Sequence, residues 1–347
     1  MKRTTHWTLP LILAATTAPA FAQAQPVQIY GQLHVSVDHI DSDIDGNSAQ
    51  LNTSSNASLI GLRGTHRIDD NLNVLWQAES TVDVTNAGDI SVDRDTFLGL
   101  SGSWGLVRVG QFDTPLKTLR NRTDLFGNQA GDARNITHFT GPGLAGLDRR
   151  FKNGIHYRTP SFGGVIVNLH YATNLDSDDD GNAAQSSDEQ AYSASVEYSI
   201  GGLWAAIAYD DSKVDDNSAI RVAGFYDIGD FRITALYQDI DNPSGIADVT
   251  AYGAGVRYAL NEKVRLKTQY YKLEVDDAND SKGELVAVGV DYHYAPNLQF
   301  YVNYAVLDND GTTRTPYNVA RSASTSAAGA TGDESPAAVS VGTIFRF

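Results

Sequence analysis

Apolar and polar residues alternate one by one along almost the whole of this chain, a period that suits extended strands and little else. In residues 27–38, Val27, Ile29, Gly31, Leu33, Val35 and Val37 alternate with Gln28, Tyr30, Gln32, His34, Ser36 and Asp38. Successive side chains of a strand point to opposite faces, so one face is apolar and the other polar. Residues 285–294 place Val286, Val288, Val290 and Tyr292 opposite Ala287, Gly289, Asp291 and His293. Residues 298–306 set Leu298, Phe300, Val302, Tyr304 and Val306 against Gln299, Tyr301, Asn303 and Ala305. Past the first 22 residues no segment repeats with a helical period. The expected fold class is all-β.

The pattern predicts about sixteen strands, near 27–38, 57–68, 72–84, 92–103, 105–112, 152–159, 163–174, 190–200, 203–212, 218–228, 230–240, 248–260, 263–275, 283–294, 298–308 and 338–347. Short turns such as Ser103-Trp-Gly105, Ile200-Gly-Gly202 and Ala295-Pro-Asn297 alternate with longer polar connections. The longer ones fall near 39–56, 113–151, 175–189, 241–247, 276–282 and 309–337. An antiparallel meander with its long loops gathered at one end suits a transmembrane β-barrel of the outer-membrane kind. No water reaches the hydrocarbon to satisfy the backbone, and a closed barrel pairs every N–H and C=O without helices. A soluble β-sandwich also alternates, but it requires two apolar faces packed together and gives no reason for loops of unequal length.

The N-terminus reads as a targeting segment. Met1-Lys2-Arg3 precedes the apolar run Leu9–Ala15, and small residues then end in Ala20-Phe21-Ala22. That order is expected of a signal peptide over residues 1–22, cleaved after Ala22, with 23–347 forming one barrel domain. The apolar run is too short to span a bilayer as a helix. Removing the two basic residues of 1–22 takes the formal charge from −16 to −18. An acidic chain lacks the basic footprint of nucleic-acid binders. The absence of cysteine excludes disulfides, Cys-based metal sites and thiol nucleophiles.

Several stretches, taken in order, resemble the trimeric general diffusion porins of Gram-negative outer membranes. They are Ile29-Tyr-Gly-Gln-Leu33, Gly61-Leu-Arg-Gly64, Phe97-Leu-Gly-Leu100, Val109-Gly-Gln-Phe-Asp-Thr-Pro-Leu-Lys117, Asn153-Gly-Ile-His-Tyr-Arg-Thr-Pro-Ser-Phe162 and the terminal Phe347. The resemblance covers nearly all of 23–347. It implies a sixteen-stranded barrel, a homotrimer, and a third external loop, here 113–151, folded inward to narrow the pore. It also implies passive diffusion of ions and small hydrophilic solutes, and Phe347 as the residue read by the outer-membrane assembly machinery.

A channel of this kind needs no catalytic group or cofactor, only a wet lumen and a charged constriction. Parity places some of the charges. With Phe151, Ile155 and Tyr157 facing outward, Arg150, Lys152, His156 and Arg158 face inward as a basic stripe. Ile60 and Leu62 outward put Arg63 and Arg67 inward, and Val107 and Val109 put Arg108 inward. Arg94 is a further candidate. Near the midplane a lipid-facing Arg or Lys costs roughly 2–4 kcal/mol, which favours a wet inner face for these groups. Asp113, Asp124, Asp132 and Asp148 are the candidate acids of 113–151. By resemblance, Asp113, Asp124 and Asp132 oppose Arg63, Arg108 and Arg158 across the constriction, with Lys117 near the loop root. A second role for these acids is to tie the loop to the wall. The basic wall favours anions, whereas the acidic mature charge favours cations at the mouth.

Two loops begin as an EF-hand does, with Asp at positions 1, 3 and 5 and Gly at 6: Asp41, Asp43 and Asp45, and Asp176, Asp178 and Asp180. Position 12, a bidentate Glu in that motif, is Asn52 in one and Ser187 in the other. A solvated acidic loop is the plain reading. The sharper one is weak surface binding of Ca²⁺ or Mg²⁺ that bridges lipopolysaccharide phosphates beside the outer-membrane lipid. Gly141-Pro-Gly-Leu-Ala-Gly146 fits a dinucleotide-loop pattern without its strand–helix context. The histidines at 34, 39, 66, 138, 156, 170 and 293 show no metal-ligand spacing. The alternatives to an open porin are a substrate-specific channel and, more remotely, a barrel enzyme or adhesin.

Overall fold

The computed structural model describes residues 27–43, 48–86, 92–138, 147–173, 190–212, 217–241, 248–276, 281–310 and 333–347. The expected signal segment 1–22 and the acids Asp45, Asp176, Asp178 and Asp180 lie outside them. In chain order the first strands are β1 (Gln28–Asp41), β2 (Gln50–Ser55), β3 (Leu59–Arg67), β4 (Asn73–Thr81), β5 (Thr96–Gly102) and β6 (Gly105–Asp113). Two helices follow, α1 (Pro115–Thr123) and α2 (Arg134–Thr137). Next come β7 (Arg150–Arg158), β8 (Val165–Ala172), β9 (Ala191–Ile200), β10 (Leu203–Ser212), β11 (Asn217–Ile228) and β12 (Phe231–Asp241). The last are β13 (Val249–Ala259), β14 (Val264–Val275), β15 (Lys282–Ala295), β16 (Leu298–Asp310) and β17 (Ala337–Arg346).

Apart from β2 and β3, each strand pairs antiparallel with its neighbours in sequence, and β17 returns to β1. β2 and β3 both pair with β1, on consecutive stretches of it, so they are two halves of one stave broken where Ala57 takes a φ of 57°. The result is a barrel of sixteen staves closed by β17 against β1, in which strands pair backbone groups with one another as a membrane span requires. The chain's last residue completes the closure: Phe347 N–H donates to Gly31 O at 3.1 Å and Gly31 N–H to Phe347 O at 2.9 Å.

The two faces are inverted relative to a soluble protein. Leu33, Val37, Val286, Val288 and Val302 stand exposed on the outside, while His34, Ser36 and Asp38 are enclosed inside. Inward polar groups satisfy one another: Asp38 accepts from the hydroxyls of Ser36 at 3.0 Å, Ser54 at 2.6 Å and Ser340 at 2.5 Å. Outward aromatics pair near the short-turn end, Phe231 with Tyr258 at 4.6 Å and Phe345 with Phe347 at 6.0 Å, as a membrane-interface girdle does. At that end the hairpin between β11 and β12 turns on Gly229, whose φ of 55° is open to glycine and strained for most other residues.

The structure corrects three sequence expectations. The strand placed at 57–68 starts at Gln50 in its β2 half, so the connection expected over 39–56 shrinks to 42–49. Helices exist where no helical period was seen. Thr114 caps α1, its Oγ1 accepting from Lys117 N–H at 3.2 Å, and Pro115 sits in the first turn, where its missing N–H is harmless. Phe151 does not face outward. It is enclosed beside Ala172 and Ala191, 5.0 Å from the His170 ring. The β6–β7 register shifts between Gly110 and Phe112, and Asn153 takes a φ of 49°, so strict alternation fails across this bulge.

Candidate functional site

The segment joining β6 to β7 packs against inward-facing side chains of the wall. On β10 to β16 many of those side chains are apolar, among them Ala206, Ala219, Ala223, Leu236, Ala251, Leu273, Ala287 and Leu307. Leu116, Leu119, Phe126 and Ile136 of the segment pack with them, so this part of the bore is filled by a hydrophobic core. Polar latches flank that core. Arg221 of β11 donates to Leu116 O at 2.9 Å, and Gln238 of β12 to Thr137 O at 3.0 Å. Gln269 of β14 donates to Asp124 Oδ1 at 3.0 Å and to Gly131 O at 2.8 Å. Lys267 donates to Gln129 Oε1 at 2.6 Å and sits 4.3 Å over the Phe126 ring.

A guanidinium lies at the heart of the segment. Arg120 meets Asp148 at 2.7 Å, Asp132 at 3.2 Å and Asp124 at 3.5 Å, all nearly enclosed. Asp148 is shared with Arg221 at 2.5 Å. Burial opposes ionisation of Asp148, but Arg221 and Arg120 outweigh it and hold the carboxyl well below its usual range. Asp124 moves the other way: burial, reinforced by neighbouring Asp132, pushes it up to about 8. Burial brings Lys117 down to about 8, partly offset by Asp113.

The remaining bore opens into a cavity of about 370 Å³ between the segment and the wall. Eight basic side chains line it against three carboxylates, Asp113, Asp124 and Asp291. Of the residues singled out from sequence, Arg94, Lys117, Arg150 and Asp113 come together here. Asp113 accepts from Lys117 at 2.7 Å and lies 3.1 Å from Arg150, which also meets Asp95 at 2.6 Å. Arg94 stands 3.6 Å from Glu79. A neighbouring cavity of about 210 Å³ holds Arg108, Arg122 and Arg158. There Arg108 donates to His156 Nδ1 at 3.2 Å and lies 3.9 Å over the Phe112 ring.

Other candidates sit elsewhere. Arg63 lies outside both cavities, bonded to Gln28 at 2.9 Å and 4.5 Å over the Tyr30 ring. Lys152 lines neither cavity; it follows the inward Phe151 and lies in the bulge with Asn153. Asp132 is absent from the cavity lining, and Asp124 is almost enclosed at its margin, both committed to Arg120. Asp41 accepts from the Asp43 N–H at 3.1 Å, and Asp43 accepts from the Ser335 N–H at 2.9 Å.

Arg122 of α1 in the smaller cavity was missed from sequence, as were four wall cations of the larger one, Arg257, Arg265, Lys267 and Arg346. Their signal was present, because outward Leu266 and Phe345 put Arg265, Lys267 and Arg346 on the inner face. Arg120 and Arg221 were missed for a different reason, since their roles depend on contacts far apart in sequence.

A family model described as Gram-negative porin matches residues 11–312. The chain is 26% identical to outer membrane porin protein 32 of Delftia acidovorans, over 87% of this chain and 89% of that one. It is 25% identical to the major outer membrane protein P.IB of Neisseria gonorrhoeae, over 85% and 91%. Among solved structures, the anion-selective porin from Comamonas acidovorans superposes with a TM-score of 0.76 at 23% identity, covering 93% of this chain and 99% of that one. A trimer form of OmpT from Vibrio cholerae gives 0.65 at 18% identity, covering 93% and 99%.

Proposed function

This chain belongs to the Gram-negative porin family, and we propose that its passive outer-membrane channel passes small anions in preference to cations. Porins are channels rather than enzymes, and passive diffusion requires no cofactor. The sign of the preference rests on one observation, which is where the carboxylates of the bore are spent. Asp113 is shared by Lys117 and Arg150, Asp291 is held by Lys267 at 2.9 Å, and the loop acids are gathered on Arg120 and Arg221. Arg108, Arg158, Arg257, Arg265 and Arg346 make no ion pair among the described residues. Unneutralised cations lining a wet bore with low-dielectric walls raise the local concentration of anions and lower that of cations. The name of the Comamonas porin records an anion-selective channel on the same fold.

The natural assembly on this reading is a homotrimer, supported by the trimer form of a similar barrel. Phe347, exposed beside Phe345, is the residue offered to the assembly machinery, and lipopolysaccharide faces the long-loop end. The test is the zero-current potential of the refolded protein in a planar bilayer under a tenfold KCl gradient. A potential of the sign set by chloride, with conductance steps in groups of three, supports the reading. A potential of the sign set by potassium overturns it.

A further inference from the structure

We propose that the lumen face of β13, β14, β15 and β17 is a saturable binding site for multivalent oxyanions. The proposal rests on the anion-favouring reading above and goes further, from a preference of sign to a site with a ligand class. Arg257 on β13 stands in register with Arg232 of β12 on one side and with Lys267 of β14 on the other. Arg265 lies two residues before Lys267 on the same inner face, and Arg346 reaches the same cavity from β17. The two acids within this group are already engaged. Asp291 is held by Lys267 at 2.9 Å, and Asp227 takes both of its bonds from Arg232, each at 2.6 Å. Arg257, Arg265 and Arg346 therefore make no ion pair among the described residues, although Arg265 stands in register with Asp291. His293 also lines the cavity, and its Nε2 is enclosed without a hydrogen-bond partner.

Like charges gathered in one part of a narrow bore repel. A ligand carrying two or three negative charges relieves the repulsion; a chloride ion relieves only part of it. The guanidinium is a planar fork of donors that fits the paired oxygens of phosphate or carboxylate. The loop side of the cavity presents the neutral amides of Asn121, Asn128 and Gln129 beside Asp113, which Lys117 and Arg150 hold, and Asp124, which faces Arg120. The amides can bond to an oxyanion without repelling it. The shared ligand chemistry is a small anion with several oxygens and at least two charges, such as hydrogen phosphate or a tricarboxylate.

The test uses the full refolded protein in planar bilayers in KCl at pH 7.5. Potassium phosphate, citrate and acetate are titrated separately at matched ionic strength. The expected result is a saturating fall in chloride current with phosphate or citrate at millimolar levels, and at least a tenfold weaker effect with acetate. Block by one of the two and not the other tells phosphate from carboxylate recognition within the same class. The R257Q/R265Q/R346Q variant is expected to weaken the block at least tenfold while still conducting, whereas R63Q, outside the cavity, leaves it unchanged. If the triple variant does not fold, R265Q and R346Q singly are each expected to weaken the block severalfold. Phosphate and citrate no better than acetate, or block unaffected by these variants, overturns the site. Equilibrium dialysis of labelled phosphate against the detergent-folded barrel reads binding without transport. Retained phosphate in a non-conducting barrel sinks the channel reading alone; no retention in a conducting one sinks the site alone.

Discussion

Arg120 Nε stands 2.7 Å from Asp148 Oδ2, and both side chains are almost wholly enclosed. The pair joins the start of the inserted segment to its end, and Arg221 at 2.5 Å ties the same carboxylate to the wall. Asp148 is thus the point where helix, loop end and barrel are fastened together.

Removing that fastener is expected to be costly. Breaking a buried ion pair by deleting one partner leaves uncompensated charge, at a cost of about 3–5 kcal/mol. Asp148→Asn leaves Arg120 and Arg221 enclosed with one charge fewer between them. The denaturant midpoint of the folded barrel should fall, and single-channel recordings should show noisier, larger conductance as the segment detaches. A silent variant would mean that the apolar core of Leu116, Leu119 and Phe126 holds the segment unaided.

The loop acids give two pH dependences of opposite sign. Asp148 is depressed, so its contribution is present above the ordinary carboxylate value of about 4 and is lost as pH falls further. Asp124 is raised to about 8, so its contribution is full below the ordinary value and is lost as pH rises through about 8. Stability should therefore decline on both flanks. Asp124→Asn, which carries no charge at any pH, should remove the alkaline decline and leave the acid one, as read by unfolding midpoints from pH 3 to 9.

Gly131 is packed too closely to accept a side chain. A Cβ there would stand 2.5 Å from the Ala287 Cβ, and its φ of 92° strains other residues as well. Overpacking costs typically about 1–3 kcal/mol. Gly131→Ala should lower stability within that range and raise conductance by pushing the segment off β15. Unchanged conductance with lowered stability would place the yielding in the wall instead.

The terminal ring has a physical role apart from any recognition. Phe347 lies against Gly31, where an added Cβ would meet the ring at 2.5 Å, and it stacks on Phe345. An aromatic pair of this kind contributes about 0.5–1.5 kcal/mol beyond its buried area. Phe347→Ala should lower the stability of barrels refolded into pure lipid vesicles, where no assembly machinery is present. An unchanged midpoint there, with loss of yield in cells, would assign the residue to recognition alone.

The alternation of Leu33, His34, Val35 and Ser36 was enough to specify strands, and the unequal loops at the two ends pointed to a barrel with lipid outside and water inside. Hydropathy is a local property, so it is legible residue by residue. The same parity held Arg265, Lys267 and Arg346 for anyone reading β14 and β17, and the Thr114-Pro115 pair signalled α1. Small inward residues such as Ala206, Ala219, Ala251 and Ala287 also departed from a polar lumen, and they mark the seat of the inserted segment.

Parity failed at Phe151, where the bulge at Asn153 depends on how two strands register rather than on either alone. What only the tertiary structure decided is which charges cancel. The sequence left Asp124, Asp132 and Asp148 either facing the pore or tying the loop to the wall, and the fold spends them on Arg120 and Arg221, the latter more than seventy residues from Asp148. Coulomb energy depends on separation and burial, and neither is written in the order of residues. The barrel was therefore legible from local pattern, whereas the sign of its bore waited on long-range pairing.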